Sequence, residues 1–133
     1  MQTFLPYPSF TESMACLDDS RLGNQVYREG ITLLRGGWPN HPASKMWRGY
    51  EGALAKYLWA GCLELQKRGR DYSGRDWFEL IRTHGPDDPL DPPWLGDPAF
   101  HASHRSNLLR KDSVWYGKYG WTEPHDLEYV WPV

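Results

Sequence analysis

The sequence predicts an all-α fold, a compact single-domain helical bundle, on three observations. Apolar residues recur at spacings of three and four through most of the chain, the period of a helix with one buried face. Start and stop signals bracket those stretches: Ser9-x-x-Glu12, Asp18 to Ser20, Pro42 and Asp97-Pro98 at the beginnings, Gly36-Gly37 and Gly69 at the ends. With 133 residues the chain is long enough to bury one core of its own, so the whole of residues 1–133 reads as one domain.

Residues 1–8 form an N-terminal arm, because Pro6 and Pro8 remove backbone donors and hold Leu5 and Tyr7 extended. Ser9 and Glu12 make a capping box for a helix from Phe10 to Asp18, with Phe10, Met14 and Leu17 as its buried stripe. The Asp18-Asp19-Ser20 cluster caps the stretch around which the chain is organised, Arg21 to Arg35. Helical spacing puts Arg21, Gln25, Arg28 and Thr32 in one file, with Asn24, Glu29 and Arg35 at its margins and Leu22, Val26 and Leu33 on another face. Gly23 and Gly30 lie near that apolar face with Tyr27 and Leu34, a pattern suited to close helix packing.

Pro42 begins a long central helix running to Arg68, in which Met46, Tyr50, Leu54, Tyr57, Leu58, Gly61 and Leu65 face the core. His41 and Lys45 stand at its entrance. A short helix from Gly74 to Thr83 carries Trp77, Phe78 and Ile81, and residues 84–98, with five prolines and four aspartates, form a stiff acidic loop. Asp97-Pro98 then starts a helix to Lys111, on which His101, His104, Arg105 and Leu108 share one side and Lys111 borders it. The tail, residues 112–133, is too aromatic to be a free end and wraps back over the bundle; it can equally serve a homodimer interface.

The two polar stripes carry the chemistry. A solvated helix face usually mixes Glu with Lys, whereas Arg21 to Arg35 offers guanidinium forks, carboxamides and a hydroxyl with Glu29 as its single acid. Such groups hold phosphates and base edges. Arg21, Asn24, Gln25, Arg28, His41, Lys45, His101, His104, Arg105 and Lys111 are therefore the candidate phosphate- and ligand-binding residues. The same Arg, Gln and His groups can instead staple helices through buried hydrogen bonds. No metal is expected, since His101-x-x-His104 has no third ligand at helical spacing, and no cofactor, since Gly-rich phosphate loops are absent.

Composition narrows the partners. A net charge of −2 supplies no global basic field for duplex DNA, while a 15% aromatic share with 8 Trp and 8 Tyr supplies rings that pack or stack on bases. Cys16 and Cys62 have no framework spacing, and no apolar run spans a bilayer, so the expectation is a cytoplasmic protein with reduced thiols and no membrane partner.

Tyr27-Arg28-Glu29 on an early helix, Glu64-Leu65-Gln66-Lys67-Arg68-Gly69 at the end of the long one, and Trp115-Tyr116-Gly117-Lys118-Tyr119-Gly120 near the tail together resemble the pyrimidine-dimer DNA glycosylase family of the phage endonuclease V type. The stretches LGNQ, GWPNHPASKMWRGYE and FHASHRSNLLRKD resemble an uncharacterised bacterial and phage branch of it. The resemblance implies a helical DNA-repair enzyme in which the N-terminal α-amine attacks C1′ of the sugar, displaces the base and forms a Schiff base, with β-elimination to follow. Glu29 matches the family's assisting glutamate and Arg28 its neighbouring phosphate-binding arginine. The amine here is that of Met1, because a residue as large as Gln2 blocks methionine trimming. Gln2, Thr3 and Phe4 are uncharged where the family carries a basic residue.

Met1 and Glu29 are thus the catalytic candidates for N-glycosidic bond cleavage on DNA. The alternative is a non-catalytic phage-type sponge, which uses the same cations and rings to sequester a small cyclic or ADP-ribose-derived nucleotide.

Overall fold

The computed structural model describes residues 2–70 and 90–133, and these are helical with no strand among them. α1 (Phe10–Cys16) begins where the Ser9 hydroxyl accepts the Glu12 amide proton at 3.2 Å. It ends two residues before the expected Asp18, because Leu17 turns extended and Asp18 is used as the next cap, its carboxylate accepting from the Arg21 amide. α2 (Asp19–Asn24) then passes into a π-helical segment, Gln25–Glu29, before α-helix resumes as α3 (Gly30–Leu34).

The long helix expected from Pro42 to Arg68 is two helices, α4 (Pro42–Trp47) and α5 (Glu51–Lys67). Gly49 adopts φ +86° between them, a left-handed conformation that only glycine takes at no steric cost, and the chain bends there. α6 (Pro98–Lys111) starts on the Asp97 carboxylate as the sequence predicts, and α7 (Ser113–Tyr116) with a 3₁₀ turn at Gly117–Tyr119 leads into the tail. The expected helix at 74–83 and the first part of the acidic loop, 84–89, lie outside the described residues; the loop's remainder, from Leu90 to Asp97, has no regular helix.

α5 is the central element. It packs against α1, the π segment and α3, and buries Ala53, Leu54, Tyr57, Leu58, Cys62 and Leu65. Two glycines make the approach close enough. A Cβ on Gly61 would meet Val26 Cγ2 at 2.5 Å, and one on Gly30 would collide with Leu58 Cδ2 and stand 2.5 Å from the Gln25 carbonyl oxygen. Gly23 has no such role, since a Cβ there would meet only the Tyr27 ring at 3.7 Å, ordinary contact.

The tail does wrap back, held by hydrogen bonds as much as by ring burial. Asn107 donates to the Leu127 carbonyl, the Leu127 amide donates to Ser106 Oγ and the Val130 amide to Ser103 Oγ. Trp121 stacks on Tyr116 at 5.7 Å and its indole donates to the Tyr7 hydroxyl, so the tail also covers the arm.

Candidate active site

The site is built on the arm. Residues 2–5 lie inside the bundle, with Thr3 and Leu5 fully buried, and their backbone has no strand to pair with. Buried amides and carbonyls require partners, and side chains provide them. The Gln25 carboxamide brackets the arm: its nitrogen donates to the Gln2 carbonyl at 2.8 Å and its oxygen accepts the Phe4 amide at 3.1 Å. The buried Tyr57 hydroxyl lies 2.7 Å from the Phe4 carbonyl oxygen and 2.9 Å from Gln25 Oε1, its one proton shared between them. Trp47 donates its indole N–H to Thr3 Oγ1 at 3.0 Å.

α6 secures the next two residues. Nδ1 of His104 accepts the Leu5 amide at 2.8 Å, and Nδ1 of His101 donates to the Leu5 carbonyl at 2.7 Å while its Nε2 accepts from the Gly96 amide. These bonds fix opposite tautomers, with the His101 proton on Nδ1 and the His104 proton on Nε2. Burial pushes the His104 imidazole down to about 3, and burial lowers His101 as well, so both rings are neutral at pH 7. Arg105 continues the row, donating to the Pro6 carbonyl and to Glu123 at 2.7 Å each.

At the head of the arm stands Glu29. Its Oε2 accepts the Gln2 backbone amide at 3.2 Å and the Gln25 carboxamide at 3.3 Å. The π segment is what allows this. In an unbroken α-helix Arg21, Gln25, Arg28 and Thr32 would form one polar file, but the Gly30 amide bonds to the Gln25 carbonyl five residues back, and the extra residue turns the faces. Gln25 points inward to the arm and is buried. Asn24, Arg28, Glu29 and Thr32, with Trp38 from the following turn, line an open cleft of about 340 Å³.

Trp38 is the unexpected member. It is 58% exposed, has φ +55° and precedes Pro39, which ordinarily holds its predecessor in extended backbone. A bulky residue in that conformation costs on the order of 1–3 kcal/mol. In the sequence it sits in a Gly-Gly-Trp-Pro turn, where the aromatic residue was the available signal.

The other candidates are distributed as follows. Arg21 closes on Asp18 at 3.1 Å, and Lys45 and Lys111 are exposed away from the cleft lining. His41 caps α4, its Nδ1 accepting the Ala43 amide at 3.0 Å and its ring edge-on to Trp131. Burial lowers its pKa, against the opposite pull of the Glu29 carboxylate. The two polar stripes therefore do not merge into one anion site: His101, His104 and Arg105 grip the arm, and Arg28 faces the cleft. Met1 lies outside the described residues.

A larger cleft of about 410 Å³ opens elsewhere, lined by Phe10, Trp59, Leu63 and Leu95 among others, with Lys56 and Asp91 as its ionisable groups. It lacks the guanidinium and carboxamide that stand beside Glu29 in the smaller cleft. Among the described residues no group of three His, Cys, Asp or Glu gathers as a metal site. None of their helices is long and apolar enough to cross a membrane.

The family model for pyrimidine dimer DNA glycosylase matches residues 1–77, which hold the arm, Gln25, Arg28, Glu29, Trp38, Tyr57 and the whole cleft lining. The chain belongs to the pyrimidine dimer DNA glycosylase family. No curated protein and no solved structure matches it. The part of this glycosylase-family chain that follows the match contributes α6 and the tail, the elements that grip the arm from behind. At the level of the family, its function is that of a DNA glycosylase.

Proposed function

We propose that this protein cleaves an N-glycosidic bond in DNA, with the Met1 α-amine as nucleophile and Glu29 as the assisting carboxylate. The observation that carries this reading is the 3.2 Å hydrogen bond from the Gln2 amide to Glu29 in a cleft that also holds Arg28. Met1 is covalently joined to that amide, and successive Cα atoms are about 3.8 Å apart, so a first-residue amine is tethered within one residue of the carboxylate.

An α-amine has an ordinary pKa of about 8, so a useful fraction is unprotonated at neutral pH, unlike a lysine. Its lone pair forms the bond to C1′ as the C1′–N bond to the base breaks, and the base leaves with that electron pair and takes up a proton. Opening of the sugar ring leaves a Schiff base between Met1 and C1′, from which loss of a C2′ proton expels the 3′ phosphate. Glu29 orients the amine and stabilises positive charge developing on the sugar. Arg28 holds a phosphate beside the cleft, and Asn24 presents a donor and an acceptor to a base edge. Arg21, Lys45 and Lys111 serve flanking phosphates, and His41 borders the Glu29 end. The buried, neutral His101 and His104, with Arg105 and Gln25, position the arm.

The test is borohydride trapping on a duplex with a single abasic site, using protein whose Met1 terminus is confirmed by intact mass. A covalent adduct is expected, lost when the N-terminal amine is acetylated. Absence of an adduct overturns the chemistry; if a thermal-shift screen then shows retention of a cyclic or ADP-ribose-type nucleotide, the protein is a sponge.

A further inference from the structure

We propose that Trp38 is a base-stacking platform: its indole receives the π face of a single nucleobase that has left its own stack, while Glu29, Arg28 and Asn24 act on the sugar, phosphate and base edge of the same strand. This deepens the glycosylase reading of the cleft and rests on it.

Three features converge on Trp38. The first is exposure without packing. No other tryptophan among the described residues is exposed: Trp47 and Trp94 are buried in the core, Trp59 is half-buried on α5, and Trp115, Trp121 and Trp131 are half-buried with ring or hydrogen-bond partners. Trp38 alone leaves 58% of its surface in water, and no ring of the described residues packs on it. Leaving the largest apolar side chain in solvent forfeits burial that the core offers elsewhere.

The second is a backbone held against its preference. The Trp38 carbonyl accepts the His41 amide at 3.0 Å, the Gly37 carbonyl before it accepts the Ser44 hydroxyl at 3.0 Å, and the Pro39 carbonyl after it accepts the Arg48 guanidinium at 2.6 Å. Three clamps on consecutive carbonyls keep φ at +55°, and a surrounding structure that over-determines a strained residue is the pattern of a functional position. The clamps fix where the indole starts, and all three are made to main-chain oxygens rather than to the indole.

The third is location. Trp38 lines the cleft with Asn24, Arg28, Glu29 and Thr32, whose volume of about 340 Å³ stands at the low end of small-molecule sites, roughly 300–1,000 Å³, and suits one nucleoside rather than a length of duplex. An enzyme that reacts at C1′ must take a nucleotide out of the helix, and a flat apolar surface at the mouth offsets the lost stacking. Every base has a π face, so Trp38 contributes affinity without choosing the base, and discrimination falls to Asn24 at the base edge.

The probe is single-stranded pentathymidylate, whose bases are already unstacked, titrated against wild type, Trp38→Ala, Trp38→Phe and Trp38→Gly. Wild type is expected to bind with quenching of tryptophan fluorescence. Trp38→Ala and Trp38→Gly should weaken binding by about tenfold to a hundredfold. Trp38→Phe should keep most of the affinity and lose most of the quench. Thermal midpoints should be unchanged, and for Trp38→Gly unchanged or raised, because glycine adopts φ +55° freely.

Equal affinity of Trp38→Ala and wild type, an undiminished quench in Trp38→Phe, or no binding by wild type would each overturn the proposal. The two readings fail separately. An adduct on abasic duplex with no effect of Trp38→Ala removes the platform and leaves the chemistry, whereas Trp38-dependent binding with no adduct does the reverse.

Discussion

The Leu5 amide donates to Nδ1 of His104 at 2.8 Å across 99 positions of sequence, and this bond exists only while the imidazole is neutral. Protonation of His104 would set an N–H against that amide in a site buried from solvent. Burial, with His101 adding to it, lowers the folded pKa from 6.5 to about 3. A depressed histidine means that the unfolded chain binds the proton first. Stability is then complete above about pH 6.5 and falls progressively as pH drops toward 3. Thermal midpoints of wild type and His104→Gln from pH 7.5 to 4 test this. Glutamine keeps an acceptor and does not titrate, so its curve should be the shallower; parallel curves would remove His104 as the source.

Gln25 supports the arm at two points, so Gln25→Leu should loosen the arm rather than unfold the helix. The Phe4 amide and the Gln2 carbonyl each lose a buried partner, a loss of about 2–4 kcal/mol in all. Hydrogen exchange at residues 2–5 should accelerate well beyond that of α5. Uniform acceleration through the chain would mean that Gln25 serves global stability alone.

Gly30 and Gly23 should respond oppositely to alanine. At Gly30 a methyl meets Leu58 and the Gln25 carbonyl, which overpacks the π segment against α5 and costs roughly 1–3 kcal/mol. At Gly23 it meets nothing closer than 3.7 Å and restores helix propensity, a gain of about 0.5–1 kcal/mol. Urea denaturation of the two variants decides it, and equal destabilisation would contradict the packing described.

Arg28 makes no ion pair among the described residues and is exposed in the cleft. Arg28→Ala should leave the melting temperature within about a degree of wild type. If the guanidinium holds a phosphate, the slope of log affinity for DNA against log salt should fall by about 1. An unchanged slope would take Arg28 out of the interface.

Much of the fold was legible because helix signals are local. Ser9, Asp18, His41 with Pro42, and Asp97 with Pro98 all stand where helices begin, and the apolar spacing around Met14, Leu22, Val26 and Leu58 marks buried faces. The family was legible for the same reason, since Tyr-Arg-Glu lies within one continuous run. The break at Gly49 was missed because a glycine inside a helical pattern does not by itself end a helix, and its φ of +86° is visible only in the folded chain.

The sequence by itself determined the helices, their caps and the polar character of the two stripes, because these depend on residues within one or two turns of each other. What those stripes face was decided by tertiary structure. A π segment turns Gln25 in and leaves Arg28 and Glu29 at the cleft, and a buried arm without strand partners draws His101, His104 and Tyr57 onto its backbone, and Trp47 onto the Thr3 hydroxyl, from up to 99 residues away. Helical periodicity reports which residues share a face, whereas the demand of a buried peptide for hydrogen bonds is satisfied by whatever the fold brings beside it.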